Sequence, residues 1–92
     1  SKKNITNFKI DNITASGSFY KNINLKHLYE KLISLKLNEF ISLNYNTSIF
    51  PGMFCKTNHG TIILFQTGKY SIVGAKSKTD LLKIYSLMNS VL

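Results

Sequence analysis

FPGMFCKTNHGTIILFQTGKYSIV, residues Phe50–Val73, reads as three consecutive β-strands joined by two tight turns. Strands are expected over Gly52–Lys56 and Thr61–Phe65, because both runs are rich in β-formers and Thr57-Asn58-His59-Gly60 between them are turn formers. Pairing Lys56 with Thr61 puts Phe54 opposite Ile63 and Gly52 opposite Phe65, with Phe50 one step further along. The second turn, Gln66-Thr67-Gly68, has glycine where a three-residue hairpin needs a left-handed residue. Phe65 then pairs with Lys69, Ile63 with Ser71 and Thr61 with Val73.

Side chains alternate between the faces of a sheet with period two. One face therefore collects Phe50, Phe54, Thr61, Ile63, Phe65 and Val73, with Lys56, Lys69 and Ser71 among them. The other collects Met53, Cys55, Ile62, Leu64, Tyr70 and Ile72. Both faces are largely apolar, whereas an antiparallel sheet in a small domain usually leaves one face polar and wet. Two helices can cover only one of them, so the lysine-rimmed face is a candidate ligand or partner surface.

Upstream, Phe8–Ser16 alternates as a strand, with Ile10, Asn12 and Thr14 on one side and Ile13 and Ala15 on the other. Asn24 is placed to cap a helix over Leu25–Leu35, in which Leu25, Leu28, Leu32 and Leu35 recur at helical spacing. A further extended stretch is expected over Phe40–Tyr45, broken by Asn46-Thr47-Ser48. Ser77-Lys78-Thr79-Asp80 has the spacing of a capping box, with Asp in place of Glu, opening a helix through Val91 with Leu81, Ile84, Tyr85, Met88 and Val91 on one stripe. The order is β-α-β-β-β-β-α, an α+β arrangement of an antiparallel sheet with two helices on one face.

The chain has 92 residues and a net charge of +8, from twelve lysines against Asp11, Glu30, Glu39 and Asp80, with no arginine. That length supports one core, and no apolar run has the length of a membrane-spanning helix; a soluble, intracellular protein is expected, with no membrane partner. The charge favours nucleic acid or another acidic partner, although a Lys-, Asn- and Ile-rich composition is also what an AT-rich genome produces. Enzyme chemistry has no visible seat. His27 and His59 lack metal-ligand spacing, the four acidic residues form no evident pair, and Cys55 reads as a small buried hydrophobe. Gly74-Ala75-Lys76-Ser77 lacks the full phosphate-loop pattern and follows an antiparallel strand. Neither a cofactor nor a metal is expected.

Ile10-Asp11-Asn12-Ile13, Phe50-Pro51-Gly52, Phe65 with Gly68-Lys69, and Gly74-Ala75-Lys76-Ser77 before the last helix together resemble one repeat of the TATA-box-binding protein family. The resemblance covers residues 7–92 and leaves 1–6 as a flexible N-terminus. In that family two repeats form a curved saddle whose underside lies in the DNA minor groove. The resemblance therefore implies a transcription initiation factor that binds and bends A·T-rich, TATA-like double-stranded DNA, in the nucleus, or in the cytoplasm if archaeal or viral. Phe50 and Phe65 become wedges between base steps, and Asn12 a central hydrogen-bond donor. Thr14, Phe54, Thr61, Ile63, Ser71 and Val73 line the groove, and Lys56, Lys69 and Lys76 meet phosphates. Thr14, Ser71 and Val73 stand where the family commonly has Val, Val and Thr, which alters the polarity of the floor.

A single repeat implies a missing half: a homodimer joined through an edge strand and the first helix, or a second repeat in a partner or a longer chain. A TFIIB-like basal factor is a further implied partner. Two other readings remain open at this level. One is the substrate-holding module of a ribonuclease-H-type enzyme that grips RNA–DNA hybrid, and the other is a protein-interaction module using the same sheet face.

Overall fold

Period-two alternation in the middle of the chain and helical spacing on either side of it fold into one antiparallel sheet backed by two helices. The computed structural model describes residues 13–92. In chain order the elements are β1 (Ile13–Ser18), α1 (Leu25–Leu35), β2 (Phe40–Tyr45), β3 (Met53–Thr57), β4 (Gly60–Leu64), β5 (Lys69–Ala75) and α2 (Lys78–Val91). The sheet order is β1-β5-β4-β3-β2, so among the described residues the first strand crosses over to flank the last, and β1 and β2 are the edges. The expected order and class hold. The part of the expected first strand before Ile13, including Asn12, lies outside the described residues.

Local chemistry sets the helix ends. Asn24 accepts the His27 backbone N–H on its side-chain oxygen at 3.0 Å, and Lys36 closes α1 in the left-handed region at φ 50°, its N–H donating to the Leu32 carbonyl. Leu25, Leu28 and Leu32 are buried, while Leu35, in the last turn, is about half exposed. At α2, Ser77 Oγ accepts the Asp80 N–H at 3.1 Å. Asp80 does not complete the capping box. Its carboxylate instead takes His59 Nδ1 at 3.1 Å and the Lys76 N–H at 3.4 Å, tying the β3–β4 turn to the helix. The Lys31 ammonium donates to the Val91 carbonyl at 2.9 Å, which joins the two helices.

The core lies between these helices and one face of the sheet. Met53, Cys55, Ile62, Leu64 and Ile72 from the sheet meet Leu28 and Leu32 of α1 and Ile84 and Met88 of α2, all of them buried. Phe19, just past β1, stacks on Tyr85 at 5.2 Å between ring centroids and leans on Tyr70 at 4.9 Å. Burial, and then the neighbouring Tyr85 and Tyr20 hydroxyls, push the Tyr70 phenol above its usual range. No helix among the described residues is long and apolar enough to cross a membrane.

Two irregularities bend the outer pairs. Between β1 and β5, Ile13 faces Ala75 and Ala15 faces Ile72, so β5 carries one extra residue, with Gly74 at φ 78°. Between β2 and β3, Phe40 faces Thr57 and Ser42 faces Lys56, so the extra residue is Ile41, which is left exposed. Such bulges bend the strand that carries them and increase its twist. Gly74 and Ala75 end β5, and only Lys76 and Ser77 remain as the connection to α2.

Candidate nucleic-acid interface

The face turned away from the helices is built from hairpin register outward. Phe54 pairs with Ile63 and Lys56 with Thr61 across β3–β4, and Ile63 with Ser71 and Thr61 with Val73 across β4–β5. Each of these pairings follows from the turn chemistry. The first turn is tighter than the four-residue loop expected: Thr57 itself pairs with Gly60, leaving Asn58-His59 as the loop. The Thr57 hydroxyl donates to the Gly60 carbonyl at 2.8 Å and accepts the His59 N–H at 3.0 Å, so the side chain at the strand end closes the turn. The second turn is as expected. Phe65 N–H donates to the Lys69 carbonyl and Gly68 N–H to the Phe65 carbonyl, both at 2.9 Å, with Gly68 at φ 91°.

Phe50 arrives by a separate device. Asn46 accepts the Ile49 and Phe50 N–H groups on its backbone carbonyl and the Ser48 N–H on its side chain, each at 3.0 Å, which coils residues 46–50 into a turn beside β3. The Phe50 ring then lies 5.7 Å from that of Phe65 and 5.1 Å from that of Phe54, tilted against both. Gly52 makes this approach possible: a Cβ there would fall 2.9 Å from Phe50 Cε2 and 3.0 Å from Phe65 Cε1. All three rings are only partly buried.

Around them the expected residues distribute as follows. Thr61, Ile63 and Ser71 are partly covered, Thr14 and Val73 are exposed, and Lys56 and Lys69 are exposed on the same face. Lys76 is exposed in the connection before α2, at the far end of β5 from Lys69, the partner of Phe65. Its backbone N–H is already directed at Asp80, which leaves the side-chain ammonium for any anion. Asn12 lies outside the described residues.

Pairing at the sheet edges adds four residues that hairpin parity did not reach. Asn44 stands opposite Phe54 and Ser42 opposite Lys56 on β2, while Ser16 faces Ser71 and Ser18 faces Lys69 on β1. They complete polar margins on an apolar centre. Period-two counting from Thr14 points to Ser16, but the offset at Ile41 hides the β2 pair from any strict alternation. Among the described residues, no three or more His, Cys, Asp and Glu side chains gather to hold a metal ion.

The family described as Transcription factor TFIID (or TATA-binding protein, TBP) matches residues 7–92. The chain is similar to the TATA-box-binding protein of Thermococcus kodakarensis, 31% identical over 83 residues that cover 87% of this chain and 40% of that protein. It is also similar to the TATA-box-binding protein of Thermococcus celer, 31% identical over 75 residues that cover 79% of this chain and 35% of that protein. Among solved structures, Methanococcus jannaschii TBP superposes with a TM-score of 0.71 at 24% identity, over 90% of this chain and 44% of that one. The chain thus spans less than half the length of each of these relatives. With the sheet order, the two backing helices and a match from residue 7 to residue 92, the chain belongs to the TATA-binding protein family.

Proposed function

We propose that the open sheet face binds double-stranded, A·T-rich DNA in the minor groove and bends it, as one half of a paired-repeat transcription initiation factor. The observation that carries this reading is the pair of partly exposed rings, Phe50 and Phe65, 5.7 Å apart at one end of a largely apolar face that neither helix covers. Apolar wedges of this kind enter a base step and kink the duplex, and TATA-binding protein is itself a type case of the mechanism. The groove chemistry agrees. A·T and G·C differ in the minor groove mainly by the guanine amino group, so an apolar floor of Phe54, Ile63 and Val73 favours steps that lack it. Lys56, Lys69 and Lys76 supply phosphate contacts, and Asn12 a hydrogen-bond donor to the groove acceptors.

Pairing belongs to the same proposal. Unstacking a step costs a few kcal/mol, which must be offset by wrapped protein surface, and one repeat wraps only part of a site. Among the described residues β1 is an edge strand, where a second repeat, whether another copy or a different chain, would pair, and the helix side would receive a TFIIB-like basal factor.

A fluorescence bending assay on a short TATA duplex tests the wedges. The double variant Phe50→Ala/Phe65→Ala is expected to keep its circular dichroism spectrum and lose bending; intact bending refutes the mechanism. Sedimentation with and without duplex tests the pairing, which is refuted by a strict monomer that still bends DNA.

A further inference from the structure

Tyr20 is 91% exposed and sits at φ 57°, a left-handed conformation that residues with a side chain seldom take. Its neighbour Phe19 turns inward to stack on Tyr85 and Tyr70. Tyr20 adds almost nothing to the core, yet its backbone is firmly held. Phe19 N–H donates to the Gly68 carbonyl at 2.9 Å, Ile23 N–H to the Gln66 carbonyl at 2.7 Å, and Tyr20 N–H to Ser18 Oγ at 2.9 Å. Gly68 lets the two turns touch, since a Cβ there would collide with the Lys21 carbonyl oxygen. The segment is therefore clamped to the turn that immediately follows Phe65.

A cleft of about 840 Å³ opens at this end of the sheet, lined by Tyr20, Ser16, Ser18, Ser71, Lys69 and Phe65 among others. No acidic side chain among the described residues lines it. A phenol carried on a hydrogen-bonded backbone, an ammonium group and three hydroxyls form a set of donors beside an apolar wedge, in a chain of net charge +8. Such donors suit the non-bridging oxygens of a phosphodiester, and the flat face of the phenol ring suits a deoxyribose.

We propose that Tyr20 is a DNA-contact residue, holding with Lys69, Ser16 and Ser18 the sugar–phosphate strand next to the step that Phe65 enters. This rests on the minor-groove reading and extends it to a residue whose placement costs the fold strain and gives the core nothing.

The experiment measures affinity for a short A·T duplex by fluorescence anisotropy over a range of salt, together with melting temperature, for the wild type, Tyr20→Phe, Tyr20→Gly and Lys69→Gln. Tyr20→Phe, which loses one donor to a charged acceptor, should bind about tenfold more weakly with an unchanged salt slope, whereas Lys69→Gln should reduce the slope by about 0.9. Tyr20→Gly should bind more weakly still, yet melt at the same or a higher temperature, because glycine takes φ 57° without strain. Wild-type affinity in both Tyr20 variants, or a lower melting temperature for Tyr20→Gly, overturns the proposal and leaves the minor-groove reading standing. A wild-type chain that binds no duplex defeats both.

Discussion

Gly52→Ala isolates the packing of the wedge pair. Gly52 is buried and is not in the left-handed region, so alanine meets no backbone strain there. What it meets are the two rings, at 2.9 Å and 3.0 Å, and the Leu64 carbonyl oxygen at 3.2 Å. Ordinary contact begins near 3.4 Å, so each ring must retreat by about 0.4–0.5 Å or the strand must shift. Overpacking of this kind costs roughly 1–3 kcal/mol, and about 4–8 °C of melting temperature accompanies each kcal/mol in a domain of this size. Because Phe50 is only partly buried, Phe50→Ala alone should cost less than the about 3–5 kcal/mol of a fully buried ring. The double variant is the decisive measurement. Removing the Phe50 ring vacates the space that the added methyl group enters, so Gly52→Ala/Phe50→Ala should be less destabilised than the sum of its parts by roughly 0.5–3 kcal/mol. Thermal melts of the four proteins, followed by circular dichroism, close the cycle, and the bending assay is run in parallel, where Gly52→Ala alone should reduce bending. Additive stabilities, with Gly52→Ala melting at the wild-type temperature, would show that the rings do not share the space over Gly52 and would remove the argument for a built wedge.

Salt dependence reports the phosphate contacts: with log affinity falling by about 0.9 per phosphate neutralised, three lysines per repeat should give a slope of about −3 for one repeat and about −5 for a pair. A flat response would refute a DNA role. Burial pushes the Cys55 thiol up from 9.0 to about 12, so its contribution is complete below pH 9, where the thiol is neutral both folded and unfolded. Above pH 9 the unfolded chain ionises first, and the wild type should lose about 1.4 kcal/mol per pH unit relative to Cys55→Ala until about pH 12. Denaturant titrations of both proteins between pH 7 and 11 check this, and parallel curves above pH 9 would contradict it. Ser77→Ala should cost about 1 kcal/mol through the lost cap of α2, read as a lower midpoint in urea at unchanged slope, and no change would show that Asp80 alone holds the helix start.

The middle of the chain was legible because its information is local. Turn residues at Thr57-Asn58-His59-Gly60 and Gln66-Thr67-Gly68 set the register of β3, β4 and β5, and period two then assigns the strand side chains between Met53 and Val73 to a face. The same holds for both helices, whose caps at Asn24 and Ser77 and apolar stripes lie within a few residues of the positions they govern. Family membership was legible from the joint spacing of Ile10-Asp11-Asn12-Ile13, Phe50-Pro51-Gly52, Phe65 with Gly68-Lys69, and Gly74-Ala75-Lys76-Ser77, although each piece alone is common.

The margins of the site were decided elsewhere. Ser42 and Asn44 join the open face only because Ile41 is extruded from the β2–β3 ladder, and Gly74 becomes part of β5 only because one extra residue is absorbed opposite β1. The Asp80 carboxylate takes His59, twenty-one residues away, which comes within reach across the fold, while its backbone N–H keeps the Ser77 cap. Tyr20 is inconspicuous in sequence and acquires meaning from the clamp that Gly68 and Gln66 place on the backbone at Phe19 and Ile23, on either side of it. By itself, the chain's order of residues determined two hairpins, two capped helices and which face each hairpin side chain takes, since those depend on neighbours a few positions apart. Tertiary structure alone decided the strand order, the two bulges and the polar edges of the face, because pairing between distant segments is settled by how the helices and the whole sheet pack together.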